Sequence, residues 1–466
     1  MLTRGAGFLA ALALLLSGSG VSVGSDAVAV AGAHGIGDPY FPLDGNGGID
    51  VISYDVHDDY SFPGRRLQGW TTVRLRTTER LRSFDLDFLL PVQSVRLSTG
   101  PSTFSRPSRH ELTIVPRHPL AAGTRVRVRV AYAGHPGRVA WGGESNWVAD
   151  DTEVLSLNEP HMAPWWFPSN DHPLDKARMD LHITVPPTRQ VVSGGRLVGV
   201  RRTSHATTYH WRAGRMATYL AFFVAGRFDV RRGRAHGLPY YLAVSRDLPD
   251  GQRRAAMRGL LLTPGIVHWL SGHLGRYPFS RTGGVVTSLN PGFSLETQTR
   301  PTYPEGVSRL LMVHELAHQW FGDSVSVHRW RDIWLNEGFA TFMEQLWNEE
   351  HGGPSTASWL EESFHGSTAD SSFWQLRIAD PGPDDLFDWA VYARGAMTLA
   401  ALRHRIGRDD FGHLLRAWTS QHRHGHGTTA QFEALATRIS GQDLGSFFDA
   451  WLVQPTRPAD TAANGL

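Results

Sequence analysis

The hydrophobic pattern of this chain changes its period part-way along its 466 residues. From about residue 49 to residue 228, apolar and polar side chains alternate, as in 73–76, 84–88 and 125–130. A period of two places one face of a strand in a core and the other in water. The first half therefore predicts an antiparallel β-rich domain of sandwich or saddle type.

Beyond about residue 237 the pattern becomes helical, because apolar residues recur three and four positions apart. A strand-like piece, 284–289, follows the first helical segment. The predicted helices are 253–274, 307–321, 336–350, 391–406, 411–421 and 429–439. The expected fold class is α+β, with the β-rich domain first and a mostly helical domain second.

The N-terminus has the pattern of a secretory signal peptide. Arg4 precedes a short apolar run at 8–16, and Ala29-Val30-Ala31 offers a small-residue cleavage site. The run is too short for a mature membrane anchor. We expect a secreted or extracytoplasmic monomer without membrane insertion. The predicted parts are a signal peptide (1–31), a β domain (32–236), a mostly helical domain (237–455) and a polar tail (456–466).

The amino-acid composition excludes several classes of function. The chain has no cysteine, which excludes disulfides, thiolate metal ligands, a cysteine nucleophile and a lipoprotein anchor. Its 46 basic and 44 acidic residues give a net charge of +2, which is too balanced for a protein that binds nucleic acid by neutralising phosphates. Any bound metal must therefore be held by histidine and carboxylate.

A metal-binding pattern lies in the predicted helix 307–321. His314 and His318 are four residues apart, so both imidazoles lie on one helix face and can reach one metal ion. Glu315, between them, is placed to hold and deprotonate a water molecule. This pattern alone also fits a helix with two surface histidines.

A third ligand is available 19 positions after His318, where Glu337 lies in Trp-Leu-Asn-Glu-Gly-Phe-Ala. Two histidines and one carboxylate leave a coordination position open, as in catalytic zinc sites. The spacing predicts one Zn²⁺ per chain, bound by His314, His318 and Glu337.

These two motifs resemble those of the gluzincin metallopeptidases of the aminopeptidase N and leukotriene hydrolase family. Residues 158–160, 166–173 and 391–395 are similar to segments of that family, and 447–458 is similar to its closing stretch. At 293–297, Phe-Ser-Leu-Glu-Thr stands where the family usually has Gly-Ala-Met-Glu-Asn. The resemblance implies that residues 237–455 form a thermolysin-like catalytic domain and that the chain is a zinc aminopeptidase. The signal-peptide pattern adds the expectation that this enzyme is exported.

The resemblance also implies how peptides would be bound. Glu296 and Glu159 would form a carboxylate pair for a free N-terminal ammonium group, since an ammonium desolvated between two carboxylates is well stabilised. The alternatives are a strand-edge surface residue for Glu296 and a turn residue for Glu159.

For other residues around the motif, the sequence leaves two alternatives open. Tyr392 would donate a hydrogen bond to the developing oxyanion, with an aromatic core residue as the alternative. Asn336 and Asp332 fit either an outer layer around the ligands or helix caps. Arg394 is expected on a helix surface and receives no catalytic role.

Family members often continue into a helical C-terminal domain, whereas this sequence ends at Leu466. We therefore expect a two-domain enzyme with an open cleft that accepts longer peptides. The alternatives are a zinc endopeptidase, an epoxide hydrolase, or a non-catalytic binding scaffold on the same fold.

Overall fold

The computed structural model describes residues 28–143, 145 and 147–466. Most of the predicted signal peptide, 1–27, lies outside these residues. The strands are β1 (Val30–Ala31), β2 (Ile49–Ser61), β3 (Arg66–Thr77), β4 (Leu81–Asp87), β5 (Val92–Leu97), β6 (Ser102–Ser105), β7 (Glu111–Pro116), β8 (Arg125–Gly134), β9 (Trp147–Ala149), β10 (Val154–Ser156), β11 (Ala177–Val185), β12 (Gln190–Ser193), β13 (Arg196–Arg202), β14 (Thr207–Met216), β15 (Phe223–Gly226), β16 (Phe228–Ala235), β17 (Leu238–Ser245), β18 (Thr282–Thr287), β19 (Thr302–Pro304), β20 (Ser326–Val327) and β21 (His426–Gly427).

The N-terminal half is built on a seven-stranded sheet in the order β13-β14-β11-β2-β3-β8-β5. Its pairs are antiparallel except for β2 and β11, which run parallel. In β8 the arginines at 125, 127 and 129 are exposed and the valines between them are buried, as their alternation predicts. The sheet buries one face and leaves the other in water.

Two four-stranded sheets, β1-β4-β7-β6 and β12-β15-β10-β9, complete the β-rich half. A further sheet, β16-β17-β18-β19, leads into the helices, with β17, β18 and β19 parallel. The predicted limit between residues 236 and 237 falls in the turn that joins β16 to β17. A domain limit at this turn stays a prediction.

Helices dominate after β17, which confirms the expected α+β class. The helices are α1 (Asp250–Leu260), α2 (Thr263–Leu274), α3 (Arg309–Ala317), α4 (Trp334–Glu350), α5 (Thr356–His365), α6 (Ser372–Gln375), α7 (Trp389–Ile406), α8 (Arg408–Gln421), α9 (Thr429–Ser440) and α10 (Gly445–Phe448). The single helix predicted at 253–274 is two helices, because Pro264 has no N–H to donate and its ring clashes with the preceding turn. Helices α5, α6 and α10 were not predicted.

Membrane spanning was searched over the ranges that the structure describes. There, no helix combines the length and apolarity that crossing a bilayer requires.

The only lysine of the sequence, Lys176, connects the two halves of the molecule. It lies just before β11 and is buried. Its ammonium group donates to the carbonyl oxygens of Asp323 (3.1 Å), Ser324 (2.9 Å) and Gly425 (2.9 Å). The β-rich half is thus fastened to two loops of the helical half by one cation.

Helices α4 and α7 cross at two glycines. A Cβ atom added to Gly338 would lie 2.8 Å from the Cα atom of Gly395, which is closer than atoms can pack. Further along the pair, the guanidinium of Arg403 contacts the carboxylate of Glu349 at 2.8 Å. The glycine contact sets the distance between Glu337, next to Gly338, and Tyr392, one turn before Gly395.

We expect Gly338→Ala to lower the free energy of unfolding by about 1–3 kcal/mol, because the new methyl group overpacks the crossing. Thermal and denaturant unfolding measure this. Gly272→Ala is the matched control, since Gly272 lies exposed in α2 with open space around it. The Gly272→Ala substitution should leave the free energy of unfolding unchanged or raise it by up to about 1 kcal/mol. Equal effects of the two substitutions would contradict the close crossing.

Candidate metal centre and active site

Helix α3 forms where the sequence predicts it. The hydroxyl of Ser308 caps its first turn by accepting from the N–H of Leu311 at 3.2 Å. Met312, Val313 and Leu316 are fully buried. The chain leaves the helix through Gly322, whose φ of 111° favours glycine. The buried apolar face fixes the rotation of α3 and directs its histidines towards α4.

The three predicted ligands meet between α3 and α4. The Nε2 atoms of His314 and His318 lie 3.3 Å and 3.4 Å from the same oxygen, Oε2 of Glu337. One ligand atom from each residue lies within 4.8 Å of the others. A single cation can therefore contact all three side chains.

In both histidines, the ring nitrogen that does not contact Glu337, Nδ1, has a hydrogen-bond partner of its own. His314 Nδ1 lies 2.8 Å from the carboxylate of Glu344, and His318 Nδ1 lies 3.0 Å from the carbonyl oxygen of Phe321. With Nδ1 as a donor, each ring can direct the Nε2 lone pair to a metal ion beside Glu337 once Nε2 has lost its proton. This arrangement of two imidazoles and one carboxylate fits zinc. Glu344 was missed in the sequence, although it lies seven positions after Glu337, on the same face of α4.

The charges within this triad shift the pKa values of its own side chains. Burial would raise the pKa of Glu337, but the charges of His318 and His314 and their hydrogen bonds outweigh it and hold that pKa at about 2. Burial would lower the pKa of His318, but Glu337 and Glu296 raise it to about 9. Without a metal ion, the triad is thus a carboxylate clamped by imidazolium.

Glu315 is buried beside the triad, with 4% of its surface exposed. Burial raises its pKa to about 8, assisted by the charges of Glu296 and Glu337 and opposed by those of the two histidines. A carboxyl group with a pKa near neutrality can both accept and return a proton.

Glu296 lies in the loop between β18 and β19 and is 3% exposed, which excludes a surface position. Gln319, directly after His318, holds this loop: its Nε2 donates to the carbonyl oxygen of Glu296 at 2.9 Å, and its Oε1 accepts from the N–H of Thr299 at 2.7 Å. Oε1 of Glu296 has no hydrogen-bond partner in the part of the chain that the structure describes. No motif pointed to Gln319, apart from its position directly after His318.

Glu159 comes from the β-rich half and is 9% exposed. Burial raises its pKa well above the ordinary value, and the neighbouring charges of Glu296, Glu337 and Glu315 raise it further. The pKa of Glu296 is raised by burial and by Glu337, although His318 opposes this. The two carboxyls are therefore buried and close enough to the metal triad for its charges to shift their pKa values.

Tyr392 lies on α7 at the edge of this pocket. Its ring stacks near that of His314, with 6.0 Å between centroids, and near the exposed ring of Trp389 at 6.3 Å. Burial raises the pKa of Tyr392 well above its ordinary value, and the surrounding glutamates add to this. Its hydroxyl thus keeps its proton and can donate a hydrogen bond.

Three other residues make no hydrogen bond to the ligand triad within the described ranges. Arg394 is fully buried, so the expected surface position is wrong: its guanidinium donates to the carbonyl oxygens of Trp374 and Leu376, both at 2.9 Å, among others. Asp332 accepts from the N–H of Thr429 at the start of α9 at 3.0 Å. Asn336 is buried inside α4 and caps no helix.

Comparisons with known proteins agree with this geometry. Residues 295–451 match the family described as Peptidase family M1 domain. Over 332 residues the chain is 28% identical to aminopeptidase N of Lactococcus lactis subsp. cremoris, covering 65% of this chain and 38% of that protein. Aminopeptidase N of Lactobacillus helveticus is 36% identical over 192 residues, which are 38% of this chain and 22% of that protein. The chain thus spans well under half the length of these curated relatives.

Solved structures match over a larger part of the chain. A variant of an M1 zinc metallopeptidase from Deinococcus radiodurans, bound to a Tyr-Ser-Ala substrate, superimposes with a TM-score of 0.82 at 26% identity, covering 93% of this chain and 100% of that chain. A two-domain M1 zinc metallopeptidase variant bound to L-arginine gives the same TM-score and identity, over 92% of this chain and 100% of that one. Sequence match, fold and ligand geometry agree: residues 295–451 are similar to the domain of peptidase family M1, and the chain has the fold of two-domain M1 zinc metallopeptidases.

Proposed function

We propose that this protein is a zinc-dependent aminopeptidase that removes the N-terminal residue from peptides. The observation that carries this proposal is the buried pair Glu159 and Glu296, which faces the metal triad from a separate part of the chain. A triad alone would serve any zinc peptidase. A second cluster of buried negative charge requires a cation as well, and a peptide N-terminus supplies one.

His314, His318 and Glu337 would hold the zinc ion. When bound, zinc supplies Lewis acidity: it polarises a carbonyl oxygen and acidifies water. Glu344 and the carbonyl oxygen of Phe321 keep the two imidazoles in the orientation and tautomer that ligation needs.

Glu315 would act as general base and then as general acid. It accepts a proton from the attacking water and returns it to the amine that leaves when the peptide bond breaks. The hydroxyl of Tyr392 would donate a hydrogen bond to the carbonyl oxygen as negative charge develops on it.

Glu159 and Glu296 would bind the α-ammonium group of the substrate. A substrate with a blocked N-terminus leaves both carboxyls buried and unmatched, which penalises its binding. The pair thereby sets the distance from the N-terminus to the scissile bond at one residue. The name aminopeptidase N of the Lactococcus relative and the Tyr-Ser-Ala substrate bound by the Deinococcus enzyme support this assignment by similarity.

We further propose that the protein is exported. This rests on the charged start, the apolar run at 8–16 and the small residues that follow.

We expect Glu315→Gln to retain zinc and to lose turnover by a factor of roughly 10²–10⁴, because the amide cannot carry the proton. Metal analysis and hydrolysis of a fluorogenic aminoacyl amide measure the two effects. Glu361→Gln, on an exposed part of α5, is the matched control and should change neither. Turnover at the wild-type rate in the Glu315 variant would remove this residue as the base.

We expect zinc affinity to rise with pH by about ten- to a hundredfold per unit between pH 7 and 9, because zinc must displace the protons on His318 and His314, whose pKa values the neighbouring carboxylates raise. In the metal-free protein the pKa of the His318 imidazole is about 9, so the competition weakens as the pH approaches this value. Competition with a chelator, corrected for the protonation of the chelator, gives the affinity. An affinity that is constant over this range would contradict the proposed proton release.

We expect Glu296→Gln to lower kcat/KM for free-amine substrates by roughly two to three orders of magnitude, because half of the ammonium site loses its charge. Activity on N-acetylated substrates should not fall. Glu153→Gln is the matched control, since Glu153 is as deeply buried but bonds to Ser245 and Ser288 outside the site. An unchanged kcat/KM for free-amine substrates in the Glu296 variant would contradict the role of Glu296 as an amine anchor.

A further inference from the structure

A second group of metal-ligating side chains lies in the β-rich half, on strands β4 and β7. Asp85 and Asp87 are two positions apart on β4 and share one face of the sheet. In the antiparallel register, Glu111 lies directly opposite Asp87. His110 precedes Glu111, and His34 approaches from the N-terminal segment. We call these five residues the β4–β7 cluster.

The side chains of the cluster converge on Glu111. Two sets of possible ligands share it: His34 and Asp85 form one with Glu111, and Asp87 and His110 form the other. In each set the ligand atoms lie within 4.8 Å of one another. His110 Nδ1 lies 3.0 Å from Oε1 of Glu111 and 3.7 Å from Oδ1 of Asp87, and His34 Nδ1 lies 3.4 Å from Oδ2 of Asp85.

The cluster is buried except at one end. Asp85, Asp87, His110 and Glu111 are all at most 2% exposed, whereas the side chain of His34 is 49% exposed. Oε2 of Glu111 has no hydrogen-bond partner within the described ranges. A buried carboxylate oxygen without a donor is costly unless a cation is near it.

Most of the hydrogen bonds donated to the carboxylates of the cluster go to Asp87. Asp87 accepts from the N–H of Gly45 at 3.0 Å, from Nδ2 of Asn46 at 2.8 Å and from the N–H of Asp171 at 2.6 Å. Asp85 accepts from the hydroxyl of Thr113. Glu111 receives only the contact with His110 among the hydrogen bonds of the described residues.

The nearby arginine does not neutralise this negative charge by hydrogen bonding. Arg106 donates to the carbonyl oxygens of Phe88, Leu90 and Arg109. Three carboxyl groups thus share two imidazoles in a place from which water is largely excluded.

We propose that the β4–β7 cluster binds a second divalent metal ion, of the zinc type, separate from the catalytic centre. Imidazole nitrogens combined with carboxylate oxygens suit zinc, and Glu111 together with His34 and Asp85 offers three such ligand atoms within 4.8 Å of one another. His34 contributes the exposed side and the path of entry. The ion would fasten the N-terminal segment to β4 and β7, and so stabilise the β-rich half without a part in catalysis.

The competing explanation is that the carboxyl groups hold protons instead of a metal ion. Burial raises the pKa of Glu111 to about 8, with a further contribution from Asp85, so a protonated state near neutral pH is chemically reasonable. Metal content distinguishes the two explanations directly.

The experiment is elemental analysis of the full chain after equilibrium dialysis against Zn²⁺, followed by removal of free metal. We expect two zinc ions per chain in the wild type and one in Glu111→Gln. His318→Asn, which removes a ligand of the catalytic site, should also retain one, and the double variant none. Glu79→Gln, at an exposed glutamate just before β4, is the matched control and should retain two.

One zinc ion in both the wild type and Glu111→Gln would overturn the proposal, as would two in both. Circular dichroism shows whether Glu111→Gln is folded. If it is not, His34→Ala decides, because His34 is exposed and its removal should leave the fold intact. That variant should bind the second zinc ion at least about tenfold more weakly, and an unchanged affinity would overturn the proposal.

Discussion

The convergence of four buried glutamates on two imidazoles is the constraint on which the catalytic half depends. Four glutamates are each at most 9% exposed: Glu159, Glu296, Glu315 and Glu337. The charges of the other three raise the pKa of Glu159, and those of Glu296 and Glu337 raise the pKa of Glu315. Burying so many carboxylates is unfavourable unless positive charge accompanies them. In the proposed function, a zinc ion in the triad and a substrate ammonium between Glu159 and Glu296 would supply that charge.

The fold keeps these repelling groups together by fixing each one to a different element. Helix α3 carries the histidines, α4 carries Glu337, and the glycine crossing of α4 with α7 brings Tyr392 to the same pocket. Gln319 holds the loop of Glu296. Glu159 arrives from the β-rich half, which Lys176 fastens to loops beside α3 and α9. Both halves are therefore needed to build one site.

Much of this could be predicted from the sequence, where the signal was local or periodic. The alternation of β8 and the apolar face of α3 depend only on side-chain period, and the spacing of His314, His318 and Glu337 places ligands on two adjacent helices. The break at Pro264 was missed because the apolar pattern continues across it. Arg394 was misplaced and Glu344 was missed because their partners come from distant segments, which periodicity does not reveal.

The central claim is that two clusters of buried carboxylates, one for a metal ion and one for an ammonium group, make this fold specific for peptide N-termini. The most direct test is kcat/KM of the zinc-loaded wild type on aminoacyl amides and on their N-acetylated twins, with and without a chelator. The account predicts cleavage of the free-amine substrates only, lost with the chelator and restored by zinc. Comparable cleavage of the acetylated twins would contradict it.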